Sequence, residues 1–450
     1  MVNRLGSALS LRLLIWLLLA GECQTAFPQT PSPATGATLQ EFVDAALAHN
    51  PQLGIAAETL KIRTARKDAV VGQLLPQLSA SASLTENRQE ALKKAEQFKG
   101  ERYALQLTQV LFNWEAFAAR RRARLAEVQQ EAEYAHERSL LLTQVADLYL
   151  KVLQAQDALA SVQAELAAVR MQAEQLQSLF DRQLARITDL RQAQASRSAV
   201  GAEQIKLQSE LEMAREALQS ISGLGIGDLG TLREDAAIPP LEQDINAWAQ
   251  LVVANNPQVK AGRIAVEEAE QGISQATGAL LPKLSLVAQR QESDVGFDNA
   301  PIRRTGSAYV GISGSMALYS GGSGTAAIRE ARSTRALVER QLRQLELDAN
   351  AQVRQAYLQL QSGQSLVAAA ADIAAATRLS VEAAQREFAL GRATNVEVLK
   401  ALRDRFQAER DLQKARYDDI RYFLALKHAS GTLTQEDLSA VSAWFATTEP

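Results

Sequence analysis

Residue types that carry out catalytic chemistry are sparse and widely separated in this 450-residue chain. Its three histidines, His49, His136 and His428, have neither the spacing of a metal site nor a recognisable nucleophile partner. The sequence therefore predicts no catalytic residues, no metal and no cofactor, and we do not expect an enzyme. His49 precedes Asn50 and Pro51 and is expected at the end of a helix.

A glycine-rich run, Ser320 to Gly324, has the composition of a phosphate-binding loop but lacks the lysine that would follow it. We interpret it as a bend between a strand and a long helix. The chain contains neither a Walker-type sequence nor a proton-relay helix. Any active transport would therefore need energy from a partner.

The balance of charge argues against a nucleic-acid partner, because 48 Lys and Arg stand against 51 Asp and Glu. Aromatic residues make up only 5% of the chain. This composition favours long helices in contact with one another over an enzyme with an aromatic-lined pocket.

The N-terminus has the pattern of a secretory signal, with Arg4 and Arg12 before the apolar stretch 13–20. We assign residues 1–26 to the signal peptide and 27–38 to a linker. Cys23 is the only cysteine, so no intramolecular disulfide is possible. Its position allows lipidation, although a lipoprotein signal calls for a small residue where Glu22 stands. The alternative is ordinary cleavage nearby.

The chain contains one unit used twice. Pro51 and Pro257 are 206 residues apart, and so are Pro76 and Pro282. Farther along, Phe180 matches Phe388 and Gly223 matches Gly431 with a separation of 208. These landmarks predict a first repeat over 39–223, a linker over 224–240, a second repeat over 241–431 and a C-terminal tail over 432–450.

Each repeat is expected to contain a long helix, because prolines are absent from 77–238 and from 302–449. Between about 115 and 179 the chain also lacks glycine, and roughly 60 residues at ~1.5 Å each would make a rod of about 90 Å. Apolar residues at helical spacing predict a coiled-coil-like seam, formed by Leu142, Val145, Tyr149, Val152, Leu159 and Leu166.

Before each long helix the apolar period changes to two, which predicts β-hairpins over 77–112 and 283–319. In the first hairpin, Leu78 to Leu84 and Tyr103 to Leu107 alternate with polar residues around a charged loop. In the second, a polar loop is expected from Arg290 to Gly306. Each chain thus offers four strands of about ten residues, the length that a tilted membrane strand needs. Four strands cannot close a barrel, so we expect the barrel to be shared between copies.

The order of helix, Leu-Leu-Pro, strand hairpin, long helix, phenylalanine-centred turn and helix, used twice after a signal, resembles the TolC family of outer-membrane efflux proteins. The resemblance extends from about Leu39 to Gly431. Its most specific part is the run 388–394 with 396–399 after it, and the first repeat carries Phe180 and 187–189 at the equivalent turn.

The resemblance implies a mainly α fold with membrane β: a trimeric 12-stranded β-barrel, four strands per chain, continuous with a long α-helical periplasmic barrel. It implies a homotrimer in the outer membrane that contacts outer-membrane lipid and extends into the periplasm. The implied function is a passive duct for substrates delivered by an inner-membrane transporter and a periplasmic adaptor protein. The exported substrate cannot be read from the sequence.

In this family the two turns lie at the periplasmic tip, where the adaptor docks and acidic residues narrow the aperture. The resemblance assigns adaptor docking to Phe180, Gln183, Leu184, Phe388, Leu390, Gly391 and Thr394. It assigns the aperture to Asp189, Glu397 and Lys400. A ring of three carboxylates would favour cations and would need ion pairs or hydrogen bonds to stay shut.

Two residues depart from the family pattern at the tip. Lys400 stands where relatives have a second acid, and Gln183 stands where a glycine is expected. Lys400 could pair with Glu397 on the helix surface, and the alternative to a gating role is such a surface pair. Gly391 is expected to take positive φ in a tight turn.

Two other functions fit parts of the pattern. A periplasmic coiled-coil spacer or surface adhesin would explain the helices but not the duplicated amphipathic hairpins. An adaptor-independent porin that is open at rest would explain the strands. The sequence does not show whether the tip is closed at rest, so it does not exclude such a porin.

Overall fold

The computed structural model describes residues 38–446 apart from 92–93, 234–235, 237, 240, 242 and 297–299. The signal sequence predicted at 1–26, with Cys23, lies outside the described residues, as does the linker up to residue 37. Within the described part, the helices are α1 (Leu39–His49), α2 (Pro51–Gly72), α3 (Trp114–Asp181), α4 (Ile187–Ser222), α5 (Ile245–Asn255), α6 (Pro257–Gly278), α7 (Ser323–Ala389), α8 (Asn395–Ser430) and α9 (Gln435–Ser442). The strands are β1 (Gln77–Ala91), β2 (Lys94–Phe112), β3 (Lys283–Val295) and β4 (Pro301–Ser315).

The same asparagine-proline pair starts the second helix of each repeat. The Asn50 side chain accepts hydrogen bonds from the backbone N–H groups of Gln52 and Leu53, at 2.9 and 3.1 Å. Asn256 caps α6 in the same way, and the following proline needs no hydrogen-bond partner at the first helical position. His49 ends α1, as the sequence predicts.

Two very long helices dominate the chain. α3 has 68 residues and α7 has 67, so each is about 100 Å long at ~1.5 Å per residue. Each turns back into a 36-residue partner, α4 or α8. Among the described residues, no helix combines the length and the hydropathy needed to cross a membrane.

The predicted seam of α3 is confirmed only in its upper part. Leu142, Val145, Tyr149 and Val152 are buried, whereas Leu159 and Leu166 are only partly so. Farther down, the buried face moves to Val162, Glu165 and Val169. The shift follows from packing, because α3 contacts both its own partner α4 and α8 of the other repeat.

The four strands form one antiparallel sheet in the order β1-β2-β3-β4. They have 15, 19, 13 and 15 residues, so the prediction of about ten residues and long connecting loops is wrong. Strand pairing continues into the charged segments, where Glu86 lies opposite Lys99. Such pairs of opposite charge stabilise neighbouring strands by ~0.2 to 1 kcal/mol.

One face of the sheet is apolar over its lower half. Leu78 lies opposite Leu107, and Leu286 lies opposite Ile312. Much of this face is open to the surroundings in the described part of the chain, since Leu78, Val310 and Ile312 are 67%, 74% and 71% exposed. Alternate residues, including Ser79 and Gln106, make the other face polar.

The largest hydrophobic core lies around the middle of the helices and includes distant parts of the chain. Phe42 of α1, Tyr149 of α3 and Phe445 pack together, with ring centroids 5.8 and 5.5 Å apart. The segment after α9 joins the region between the repeats through a β-bridge from Leu232 to Phe445. We call this core, with its bridge, the waist.

Two glycines form the predicted bend before α7. Gly321 and Gly322 have φ values of 63° and 86°, in the left-handed region that favours glycine. Gly322 is the N-cap residue of α7. The run therefore changes the direction of the chain between β4 and the helix, as the sequence predicts.

Candidate functional site at the helical tip

The two long hairpins end in turns with the same hydrogen-bond pattern. After α3, the Gln183 and Leu184 N–H groups donate to the carbonyls of Phe180 and Leu179, both at 2.8 Å. After α7, Gly391 and Arg392 repeat this arrangement 208 residues later, with bonds of 3.0 and 2.8 Å. Both turns are Schellman motifs, which close a helix by a residue of positive φ.

The positive-φ residue differs between the two turns. Gly391 has a φ of 71°, which confirms the expectation from the sequence. At the equivalent position Gln183 has a φ of 61°, and among the described residues it is the one non-glycine with positive φ. A side chain with Cβ in this region costs about 1 to 2 kcal/mol. The glutamine that replaces the expected glycine therefore introduces strain at the first turn.

The residues predicted at the tip divide into core and surface. Phe180 and Phe388 are partly buried and pack on a cluster that includes Leu176, Leu190 and Leu399. Leu184 and Leu390, by contrast, are 72% and 67% exposed. The phenylalanines hold the two turns together, and the leucines form their apolar outer surface.

The predicted aperture residue Glu397 takes part in a capping box. Its carboxylate accepts a hydrogen bond from the Thr394 N–H at 2.7 Å, and its own N–H donates to the Thr394 hydroxyl at 3.4 Å. Glu397 forms no ion pair with Lys400 in the described part of the chain. The pattern Thr394-x-x-Glu397 is a capping-box signature and could have been recognised from the sequence.

Asp189 occupies the corresponding third position of α4. The N-cap residue there is Arg186, which makes no side-chain capping bond. The backbone carbonyl of Asp189 accepts a hydrogen bond from the Asn395 side chain at 3.4 Å. The two turns are thus in contact at the same level, and both carboxylates lie near the positive end of a helix, where negative charge is favourable.

A line of polar contacts joins α3 of the first repeat to α8 of the second, and we call it the α3–α8 ladder. It begins near the tip and continues toward the waist. Its contacts are Gln172–Asn395 at 3.0 Å, Glu165–Arg410 at 2.7 Å, Asp157–Tyr417 at 2.6 Å, Asp147–Arg421 at 3.0 Å and Ser139–His428 at 2.9 Å.

The side chains in the middle of the ladder are buried. The side chains of Glu165 and Arg410 are 5% and 18% exposed. Burial, followed by the neighbouring Asp157, raises the pKa of Tyr417, and burial also raises the pKa of Asp157. Buried polar groups of this kind restrict two helices to one relative position, because sliding would leave them unpaired.

Two histidines meet at the upper end of the ladder. The rings of His136 and His428 lie 6.0 Å apart, and the His136 Nε2 contacts Gln258 at 2.8 Å. Burial, followed by the neighbouring His136, lowers the pKa of His428 to about 4. Across the described ranges, no group of three histidines, cysteines or acids is arranged to hold a metal ion.

A buried carboxyl group lies between α7 and α8. Asp419 is buried beside Gly363, where an added Cβ would lie 2.8 Å from the Asp419 Oδ1. Burial raises the pKa of Asp419 to about 6. An added Cβ at this point would force the Asp419 or Tyr422 side chain to shift.

Comparison with known proteins identifies relatives over nearly the whole chain. The family model described as outer membrane efflux protein matches residues 42–224 and 248–432. The chain is 28% identical over 414 residues to the outer membrane protein TolC of Vibrio cholerae, covering 90% of this chain and 93% of that protein. It is 30% identical over 348 residues to the alkaline protease secretion protein AprF of Pseudomonas aeruginosa, covering 77% and 72%.

Solved structures share the fold. The outer-membrane channel OprN superposes with a TM-score of 0.77 at 20% identity, covering 90% of this chain and 95% of that one. CusC superposes with a TM-score of 0.79 at 17% identity, covering 90% and 99%. The combination of a four-stranded sheet and two long helical hairpins is therefore common to all three chains.

Proposed function

The chain belongs to the outer membrane efflux protein family, and from this membership we infer that it is the outer-membrane channel of a tripartite efflux or secretion system. It lies in the outer membrane and extends into the periplasm. The homotrimer, the periplasmic adaptor and the inner-membrane pump that delivers the cargo are parts of this proposal. The chain itself serves as a passive duct.

The observation that carries the proposal is the sheet with two unpaired edges. β1 and β4 are its edge strands, and in lipid each unpaired backbone group costs several kcal/mol. Because the four strands alternate in direction, β4 of one copy can pair antiparallel with β1 of the next. Three copies, the number that the family resemblance implies, would close a 12-stranded barrel.

The two faces of the sheet support the same arrangement. The apolar face, with Leu78, Leu105 and Ile312, would contact lipid. The polar face, with Ser79 and Gln289, would line the water-filled bore. A coiled-coil spacer or adhesin would have no use for a sheet with this distribution of side chains.

At the other end, we assign adaptor docking to the two turns and the aperture to the residues one helical turn above them. The exposed Leu184 and Leu390 give the docking surface an apolar component, and the packed phenylalanines fix its shape. Asp189, Glu397 and Lys400 would surround the aperture when three copies assemble.

Disulfide cross-linking between sheet edges tests the closed barrel. Single cysteines are placed along β1, at Ser79, Ser81 or Ser83, and each is combined with one along β4, at Ser307, Gly311 or Ser313, in a Cys23→Ser background. The cysteine pairs that lie opposite each other between β1 of one copy and β4 of the next should form disulfides. These pairs should produce dimers and trimers on a denaturing gel. The matched control is a Ser81→Cys/Ala104→Cys pair, which lies opposite within one chain and should yield monomers only.

Conductance in planar bilayers tests the duct itself. The purified trimer should insert and conduct ions. A barrel pattern of cross-links without any conductance would favour a closed structural assembly. Absence of interchain cross-links in every register would refute the shared barrel, and high conductance that no adaptor changes would favour the adaptor-independent porin.

A further inference from the structure

We propose that the periplasmic mouth of the duct attracts anions, because Arg182, Arg186 and Arg392 form a basic layer at its lowest point. The inference rests on the proposed function, since it requires three copies around one aperture. It concerns the class of solute that the mouth admits most readily.

The basic layer follows from the composition of the two turns. Residues 182–186 and 390–394 contain three arginines and neither aspartate nor glutamate. All three arginines are exposed. None of them forms an ion pair or a side-chain hydrogen bond with another described residue, so their charges are not neutralised locally.

Two acids near the tip, Asp189 and Glu397, stand about one helical turn above this layer, whereas Asp181 directly precedes Arg182. The Glu397 carboxylate is bound to the Thr394 N–H, and Asp189 has the same position at the start of α4. Asp181 accepts a hydrogen bond from the Gln177 side chain at 2.8 Å. These carboxylates therefore act on helix ends and neighbouring amides within their own chain.

Basic residues still outnumber acidic residues when the adjoining helical turns are included. Residues 181–191 and 386–400 contain six Lys or Arg and four Asp or Glu. Arg386 pairs with Glu382 at 3.6 Å, just outside this range, so each chain brings an excess of one positive charge to the tip and a trimer brings three. This sign is opposite to the cation preference expected from the carboxylates alone.

The effect does not depend on one side-chain rotamer. At physiological ionic strength charges are screened over about 8 Å, and in a narrow aperture the fields of nine arginines from three chains would overlap. A constriction with walls of low dielectric constant focuses such a field and raises the local concentration of counter-ions. Rings of Arg or Lys select anions by the same physics.

Block of the channel by multivalent ions tests the sign of the charge. Hexacyanoferrate(II) and hexaamminecobalt(III) are added in turn to the tip side of wild-type channels in bilayers. Hexacyanoferrate should block at a concentration at least tenfold lower than hexaamminecobalt, and 1 M KCl should weaken this block because the screening length falls to about 3 Å.

The variant Arg182→Gln/Arg186→Gln/Arg392→Gln should weaken hexacyanoferrate block at least tenfold and shift the reversal potential toward cations. The matched control, Arg329→Gln/Arg340→Gln/Arg343→Gln, removes the same charge from exposed positions on α7 far from the tip. It should leave the block unchanged. Stronger block by hexaamminecobalt, or an unchanged block in the tip variant, would overturn the proposal.

Calorimetric titration of the detergent-extracted protein with hexacyanoferrate separates this inference from the proposed function. Binding that the tip substitutions weaken tenfold supports a basic tip even in a protein that does not conduct. Equal binding by wild type and tip variant refutes the basic mouth, whereas a missing conductance refutes only the duct.

Discussion

Removal of Arg410 should loosen the contact between the two repeats more than any other single change in the α3–α8 ladder. The guanidinium donates to the Glu165 carboxylate at 2.7 Å, and that carboxylate is 5% exposed. An Arg410→Met variant would keep much of the side-chain volume but leave the carboxylate buried without its cation. Breaking a buried pair from one side costs about 3 to 5 kcal/mol.

Hydrogen exchange followed by mass spectrometry measures this cost locally. Since about 1.4 kcal/mol corresponds to a factor of ten, 3 kcal/mol should accelerate exchange about 100-fold in the segments around residues 165 and 410. Peptides of the β-hairpins should be unaffected.

The double variant Glu165→Leu/Arg410→Met provides the control. Replacing both partners of a buried pair by apolar groups is often neutral or stabilising, so exchange should return to within about tenfold of wild type. If the single variant exchanges like wild type, or if the double variant is as loose as the single one, the pair does not hold the repeats together as described.

Three further predictions concern single positions. Gln183→Gly should raise the free energy of unfolding by roughly 0.5 to 1 kcal/mol and Gly391→Gln should lower it by a similar amount, because relief of the left-handed strain outweighs the entropy of glycine; guanidinium unfolding would show no difference if the strain is absent. The pKa of His428 is lowered to about 4, below its unfolded value of about 6.5, so stability should fall as the pH drops from 6.5 toward 4, by up to about 3 kcal/mol. His428→Gln should reduce this dependence to the part that comes from His136, whose pKa burial also lowers. The pKa of Asp419 is raised to about 6, above its unfolded value of about 4, so its neutral form is favoured in the fold and stability should fall as the pH rises from about 4 to 6. Asp419→Asn should be the more stable protein at pH 8 by up to about 3 kcal/mol, and equal melting temperatures there would contradict this.

Local sequence patterns correctly predicted those helix starts, strands and turns that depend on residues close together in the chain. The pairs Asn50-Pro51 and Asn256-Pro257 predicted helix starts because capping and proline geometry act within three residues. Alternation predicted the strands, but not their lengths, since the charged residues beyond Leu84 pair across the hairpin without a change in hydrophobic pattern. Gly391 predicted a residue of positive φ at the second turn. Gln183 has the same conformation at the first turn.

The contacts between repeats could not be predicted from one sequence. Glu165 and Arg410 are 245 residues apart, and each alone has the pattern of an exposed helical charge. The burial of Glu165 follows only from the packing of α3 against both α4 and α8. The same packing moves the buried seam from Leu166 to Val169. Similarly, nothing near His136 indicates that His428 lies beside it.

The waist has a consequence for the order in which the chain can fold. Its core combines Phe42 with Phe445, and the Ala446 N–H bonds to the carbonyl of Thr231 at 2.8 Å. A chain that emerges N-terminus first cannot complete this core until residue 446 has been translocated, and contacts so distant in sequence form slowly. The first repeat would therefore remain with its sheet edge open until Phe445 and Ala446 arrive. Closure of the waist would then delay subunit assembly until the segment around Phe445 has been exported.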